Sequence, residues 1–140
     1  MYGGDGAYDM QNVKQMKSLN LAYIGDAVYE LHVRTYLLET GQVKPNELHQ
    51  KAVTYVAAEA QAAIIRHWLG TGILTETEEH VVKRGRNAKS GSVPKRLNVQ
   101  TYRYSTGFEA LIGYHYLLKS EQRLQVLLQE AVQFINEGNV

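Results

Sequence analysis

Apolar residues recur at helical spacing along most of the chain, and glycine, proline and capping residues separate the runs. The first run predicts a helix from about Ser18 to Glu39, stopped at Gly41, where glycine suits the left-handed residue that ends a helix. After Q42-V-K-P45, Asn46 is placed to cap a long alanine-rich helix reaching Leu69, with Gly70 and Gly72 as its stop. T75-E-T-E78 has the form of a capping box and opens a helix ending between Lys83 and Asn87. From Ala88 to Asn98 the pattern is lost and a loop is expected. Two helices complete the chain, from Gln100 to Lys119 and, capped by Ser120, from Glu121 to Asn136. No run keeps strand alternation, and Val53 to Val56 reads as one face of a helix. The expectation is an all-α bundle of about five to seven helices, a single domain over 13–140 behind a flexible lead-in over 1–12.

Two of these helices share an unusual feature. L21-A-Y-I-G-D-A-V-Y29 is almost wholly apolar, yet it holds a glycine, Gly25, directly before an acid, Asp26. F108-E-A-L-I-G-Y-H-Y-L-L118 repeats the theme with Glu109 and Gly113. Glycine inside a helix costs about 1 kcal/mol relative to alanine, so two of them suggest backbones in close approach. Asp26 and Glu109 would then face each other across the contact. Two such carboxylates are tolerable if protonated, if paired with a base, or if a divalent cation lies between them. The other reading that periodicity leaves is an acid in water at the edge of each apolar stripe.

Charge adds a second theme. The chain carries 15 Lys and Arg against 14 Asp and Glu, but between Glu79 and Glu109 there is no acid at all. That window holds Lys83, Arg84, Arg86, Lys89, Lys95, Arg96 and Arg103, so a strongly basic segment lies on an otherwise acidic body. Such a segment is an electrostatic footprint for a polyanion. The absence of cysteine excludes disulfides and thiolate metal sites and agrees with a cytoplasmic location. The five histidines show no zinc-type spacing. No apolar run approaches the ~18 residues of a membrane span, so no membrane partner is expected.

A22-Y-I-G-D-A-V28 resembles the signature helix of ribonuclease III domains, and F108-E-A-L-I-G113 resembles their second catalytic helix. K83-R-G-R-N-A-K89 and Y102-R-Y-S-T-G-F-E-A-L111, in a chain without a double-stranded-RNA-binding domain, are similar to the Mini-III subgroup. The resemblance covers about Ser18 to Phe134. It implies a homodimeric, metal-dependent endonuclease for double-stranded RNA that leaves a 5′ phosphate and a 3′ hydroxyl. It also implies a role in maturing precursors of large-subunit (23S) ribosomal RNA, with a ribosomal protein as a candidate for presenting the substrate. Asp26 and Glu109 match the catalytic acids and would hold Mg²⁺, for which Mn²⁺ can substitute. The family's further carboxylates are missing: Leu19, Ala22 and Thr106 occupy those positions. One firmly held Mg²⁺ per centre is therefore expected.

Under the same resemblance, Lys83, Arg84, Arg86, Asn87, Lys89, Lys95 and Arg96 become the candidate RNA contacts. Interspersed glycine and serine suggest long basic side chains on a mobile backbone. A-form RNA is gripped at its phosphates and 2′-hydroxyls across the shallow groove, which such a segment suits. The rival expectation is a non-catalytic RNA-binding or ribosome-assembly module on the same fold, favoured by the three missing acids. Retention of both Asp26 and Glu109 favours the enzyme.

Overall fold

The computed structural model describes residues 10–89 and 92–139, which form seven α-helices and no strand. In chain order these are α1 (Met10–Gln15), α2 (Ser18–Thr40), α3 (Leu48–Val56), α4 (Ala58–Thr71), α5 (Glu76–Asn87), α6 (Val99–Leu117) and α7 (Glu121–Asn136), with a 3-10 turn at Pro45–Glu47. The lead-in expected over 1–12 lies largely outside the described residues, and its last three residues open α1. No helix among the described residues is long and apolar enough to cross a membrane.

Helix α6 is the axis of the molecule. From Ser105 to His115 every residue except Glu109 is buried, so this helix has no solvent face over three turns. Helices α2, α4, α5 and α7 pack around it. The main core joins Tyr29, Val33, Trp68, Phe108, Leu111, Ile112 and Leu127, with Tyr29 edge-on to Phe108 at 4.9 Å between ring centroids.

The closest approach is between α2 and α6. A Cβ placed on Gly25 would lie 1.8 Å from the Glu109 carbonyl oxygen, and one on Gly113 would lie 1.9 Å from that of Leu21. Backbone meets backbone here, as the paired Ile-Gly sequences suggested. A similar pair, Gly85 and Gly107, brings α5 against α6, where a Cβ on Gly107 would lie 2.9 Å from the Val82 carbonyl oxygen.

Helix ends follow the sequence signals in most places. Gly41 (φ 65°) and Gly72 (φ 74°) end α2 and α4 in the left-handed conformation, whereas Gly70 stays inside α4. Thr75 and Glu78 form the capping box of α5, and Asn98 caps α6 through the N–H groups of Gln100 and Thr101. Ser120 stands at the N-terminus of α7 without a side-chain capping bond.

The single helix expected from Asn46 to Leu69 is instead broken. Asn46 lies in the 3-10 turn, and Ala57 adopts an extended conformation (φ −60°, ψ 152°) between α3 and α4. A continuous helix would extend the buried stripe of Ala52 and Tyr55 through Glu59 and Arg66, turning two charges inward. The break resets the register, so Ala60, Gln61, Ile64, Ile65 and Trp68 go in while Glu59 and Arg66 stay exposed. Buried side chains serve the carbonyls beside the break. The Tyr29 hydroxyl donates to Tyr55 O (3.0 Å) and the Gln61 amide donates to Val56 O (3.2 Å).

Below α6, Glu78 is 3% exposed and is the acceptor in a polar hub. It takes hydrogen bonds from the Thr75 N–H, from Arg123 at both oxygens (2.7 and 2.8 Å) and from the His115 ring (2.6 Å). Burial alone would raise its pKa, but Arg123 above all, with Thr75 and His115, holds it down at about 2. Burial lowers the His115 pKa despite Glu78, and its Nδ1 has no partner, as suits a neutral ring donating from Nε2.

The crossing makes a direct test. Gly25→Ala or Gly113→Ala should cost about 3 kcal/mol or more, because the colliding atoms are backbone and cannot swing away. Gly70→Ala, whose Cβ would meet nothing within 4 Å, should be neutral or stabilising by up to about 1 kcal/mol. Denaturant midpoints measure all three.

Candidate active site

Asp26 follows Gly25 in α2, and Glu109 supplies from α6 the carbonyl that Gly25 touches. The crossing therefore brings the two acids together. Asp26 is exposed and Glu109 half-buried, so the pair opens to water on one side. Burial first, then the charge of Asp26 and a hydrogen bond with it, push the Glu109 carboxyl up to about 8; Gln61 opposes this by donating to the carboxylate. Gln61 is itself only 2% exposed.

The surroundings add little negative charge. Glu30, one turn after Asp26, is held by Arg34 at 2.9 Å on its own helix. Among the described residues no group of three or more His, Cys, Asp and Glu is disposed to hold a metal ion. Leu19 is 38% exposed, Ala22 is buried, and the buried Thr106 donates its hydroxyl to Tyr102 O at 3.0 Å. None of these three side chains contributes a carboxylate to the pair.

What remains suits one hard divalent cation. Glu109, whose ionisation is made costly by burial and by the charge of Asp26, is relieved by a positive charge between the two acids. A cation such as Mg²⁺ takes one or two carboxylates and keeps water or phosphate oxygens for its other positions. Asp26 and Glu109 would hold it.

The basic candidates divide into two groups. Lys83, Arg84, Arg86 and Asn87 lie on α5, which Gly85 anchors against α6, so their backbone is rigid helix and not the mobile loop expected for them. Arg84 donates to the carbonyls of Lys14 and Met16 at the end of α1. Arg86 and Arg66 both lie over the Tyr104 ring, at 5.5 and 4.3 Å from its centroid. Lys89, Lys95 and Arg96 are exposed in the connection between α5 and α6. Between α2 and α5 runs an open cleft of about 610 Å³, lined by Lys17, Leu19, His80, Lys83, Arg84 and Lys89 among others. Lys17 and His80 escaped the sequence reading because Lys17 lies outside the acid-free window and a lone histidine adds nothing to a count of Lys and Arg. Gln61 escaped it because a glutamine in an alanine-rich helix carries no pattern that marks it as buried.

The ribonuclease III domain profile matches residues 19–120, which include both acids and the α5 basic residues. The chain belongs to the ribonuclease III domain family. Mini-ribonuclease 3 of Enterococcus faecalis is 47% identical over 93% of this chain and 98% of its own length. Mini-ribonuclease 3 of Symbiobacterium thermophilum is 50% identical over 92% of this chain and 98% of its own. A crystal structure of a protein from Fusobacterium nucleatum is similar with a TM-score of 0.76 and 29% identity, covering 87% of this chain and 96% of that one. These likenesses place the chain with the Mini-ribonuclease 3 group, among endoribonucleases of the ribonuclease III type. The family's all-α fold is thus established by topology and by sequence together.

The strained acid pair should be visible in stability. Glu109 titrates near 8 in the fold and near 4.5 when unfolded. A raised acid stabilises the fold below its unfolded pKa, and that contribution is lost as pH rises through the folded value. In EDTA, Glu109→Gln should therefore match the parent near pH 4 and exceed it by about 1–3 kcal/mol at pH 8. Asp26→Asn should recover part of the same gain. Urea melts across pH measure both.

Proposed function

We propose that the chain hydrolyses double-stranded RNA with Mg²⁺, or Mn²⁺ in its place, held by Asp26 and Glu109. The observation that carries this reading is the forced meeting of those two acids at a glycine crossing, open to water and short of positive charge. When bound, the cation supplies polarisation of the scissile phosphate and activation of a water for attack. Asp26, exposed, is the acid nearer the entering RNA, and Glu109 is the half-buried one. Cleavage leaves a 5′ phosphate and a 3′ hydroxyl.

Grip on the duplex falls to Lys83, Arg84, Asn87 and Lys89 along the α2–α5 cleft and to Lys95 and Arg96 beyond it. Arg86 acts from its place on Tyr104. Cations on a rigid helix meet phosphates at fixed spacing, which suits recognition of helix shape more than of base sequence.

The active form is a homodimer. Tyr23, Leu31 and Leu38, spaced along one side of α2, are 81%, 68% and 68% exposed, a large apolar surface for a soluble helix. A second copy packed on that face buries it and sets two centres to cut two strands. The substrate to test first is the large-subunit (23S) ribosomal RNA precursor, in the cytoplasm, with and without a ribosomal protein to present it.

A long RNA duplex incubated with Mg²⁺, with Ca²⁺ and with no metal separates an enzyme from a binding module. Cleavage is expected with Mg²⁺ alone. Asp26→Asn should lower the rate at least 1000-fold while leaving duplex binding in EDTA within twofold; wild-type cleavage by that variant removes Asp26 from the mechanism. Replacing Lys83, Lys89 and Lys95 by alanine should weaken binding and flatten the log–log salt dependence by roughly one unit for each phosphate that is no longer neutralised. An unchanged slope means these lysines do not touch the backbone.

A further inference from the structure

We propose that Arg66, Arg86 and Tyr104 form a second phosphate-binding site, on the flank of α5 away from the α2–α5 cleft, which grips the backbone of duplex RNA. The inference rests on the reading of the chain as a binder of double-stranded RNA, and it adds Arg66 to the contacts.

The three residues come from three helices. Arg66 leaves α4 and Arg86 leaves α5, and both guanidinium groups lie over the ring of Tyr104 on α6, at 4.3 and 5.5 Å from its centroid. Arg86 adds one long hydrogen bond, 3.5 Å, to the Tyr104 hydroxyl. An aromatic face attracts a cation through its quadrupole and leaves the N–H groups unspent. Each guanidinium has five such donors, so this pair is held in place with nearly all of them free. Other arginines are used differently. Arg84 donates to Lys14 O and Met16 O, Arg123 to Glu78 and Ile73 O, and Arg34 to Glu30.

Charge points the same way. Among the described residues no carboxylate pairs with Arg66 or Arg86. The nearest acid to Arg66 along α4 is Glu59, and the nearest to Arg86 along α5 is Glu79. Each is two helical turns back, about 10 Å along the axis. Two unpaired cations drawn to one ring repel each other, and an anion bound to both removes that cost. Phosphodiester oxygens match the fork of a guanidinium, and Arg66 is exposed to meet them.

The occupant follows from the place of the site on α5. Gly85 faces α6, so Arg84 and Arg86, one residue to either side, leave the helix on opposite flanks. Their contacts agree, Arg84 reaching the end of α1 and Arg86 reaching Tyr104. The cleft with Lys17, Lys83 and Lys89 lies on the Arg84 flank. Arg66 widens the other. Cations on both sides of one helix suit the two phosphate rows that border a groove of a duplex, whereas a single strand offers one row.

The test uses Arg66→Gln, which removes the charge at an exposed position, and Arg66→Lys, which keeps it. Binding is measured in EDTA over a range of salt, with an RNA duplex and with one of its strands alone, and melting temperatures are taken beside it. Arg66→Gln is expected to bind duplex at least about threefold more weakly, with a log–log salt slope lower by roughly one unit. Arg66→Lys should keep the parent slope. A role confined to holding Tyr104 would alter the melting temperature and leave the slope alone. Parental duplex affinity and slope in Arg66→Gln overturn the site, as does an equal loss of slope in Arg66→Lys. A loss as large on the single strand as on the duplex overturns its assignment to duplex RNA. Should Arg66→Gln fail to fold, Arg66→Met decides on the same readouts. If the parent protein binds no duplex at all, the functional reading falls; if it binds and Arg66→Gln matches it, only this site does.

Discussion

Two backbones touch where α2 crosses α6, and no residue with a side chain could stand at either position that allows it. That crossing fixes how far Asp26 and Glu109 are apart, because each is tied by the main chain to the point where the helices meet. It also explains why both helices are apolar on several faces. Helices whose axes come this close bury flanking side chains on both sides of the crossing, and α6 is enclosed almost all round. The second glycine pair, Gly85 and Gly107, does for α5 what the first does for α2, so the basic helix and the acidic crossing share one rigid support.

That shared support shapes the interface with RNA. Cations on α5 and carboxylates on α2 and α6 cannot drift relative to one another, so the distance from phosphate grip to cutting centre is set by the fold. A duplex with regular phosphate spacing matches such a ruler, whereas a flexible strand has no need of one. The basic side chains nearest the core are also restrained individually, Arg84 by the end of α1 and Arg86 by Tyr104.

Much of this was legible in the sequence. The Ile-Gly pairs gave the crossing, because a glycine in an apolar helix needs a reason and close approach is the commonest. The capping box at Thr75 and the left-handed Gly41 were readable because caps are local chemistry. Three features were not. The break at Ala57 lies in a run of good helix formers, and only the tertiary need to keep Glu59 and Arg66 out of the core creates it. Gly85 falls where the expected helix was to end, in a segment whose interspersed glycine and serine read as mobile backbone; its packing partner, Gly107, is far away in the chain. Gln61 and Glu78 are polar residues buried by partners from other helices, and no local pattern announces such partners.

Glu78 and Glu109 show how far environment decides the fate of a buried acid in a single small domain. Burial pushes both towards the neutral form. At Glu78, Arg123, Thr75 and His115 supply more than enough donation to reverse that, and the carboxylate stays ionised down to about 2. The result is a structural joint between α5, α6 and α7, with no oxygen left for anything else. At Glu109 the partners are one amide and another acid, and the balance goes the other way, to about 8. An acid left so poorly compensated costs stability, and nothing in the packing requires it, since α2 and α6 meet through their backbones. The deficit is one that an incoming cation makes good. The fold satisfies one of these two glutamates completely and leaves the other in need of positive charge.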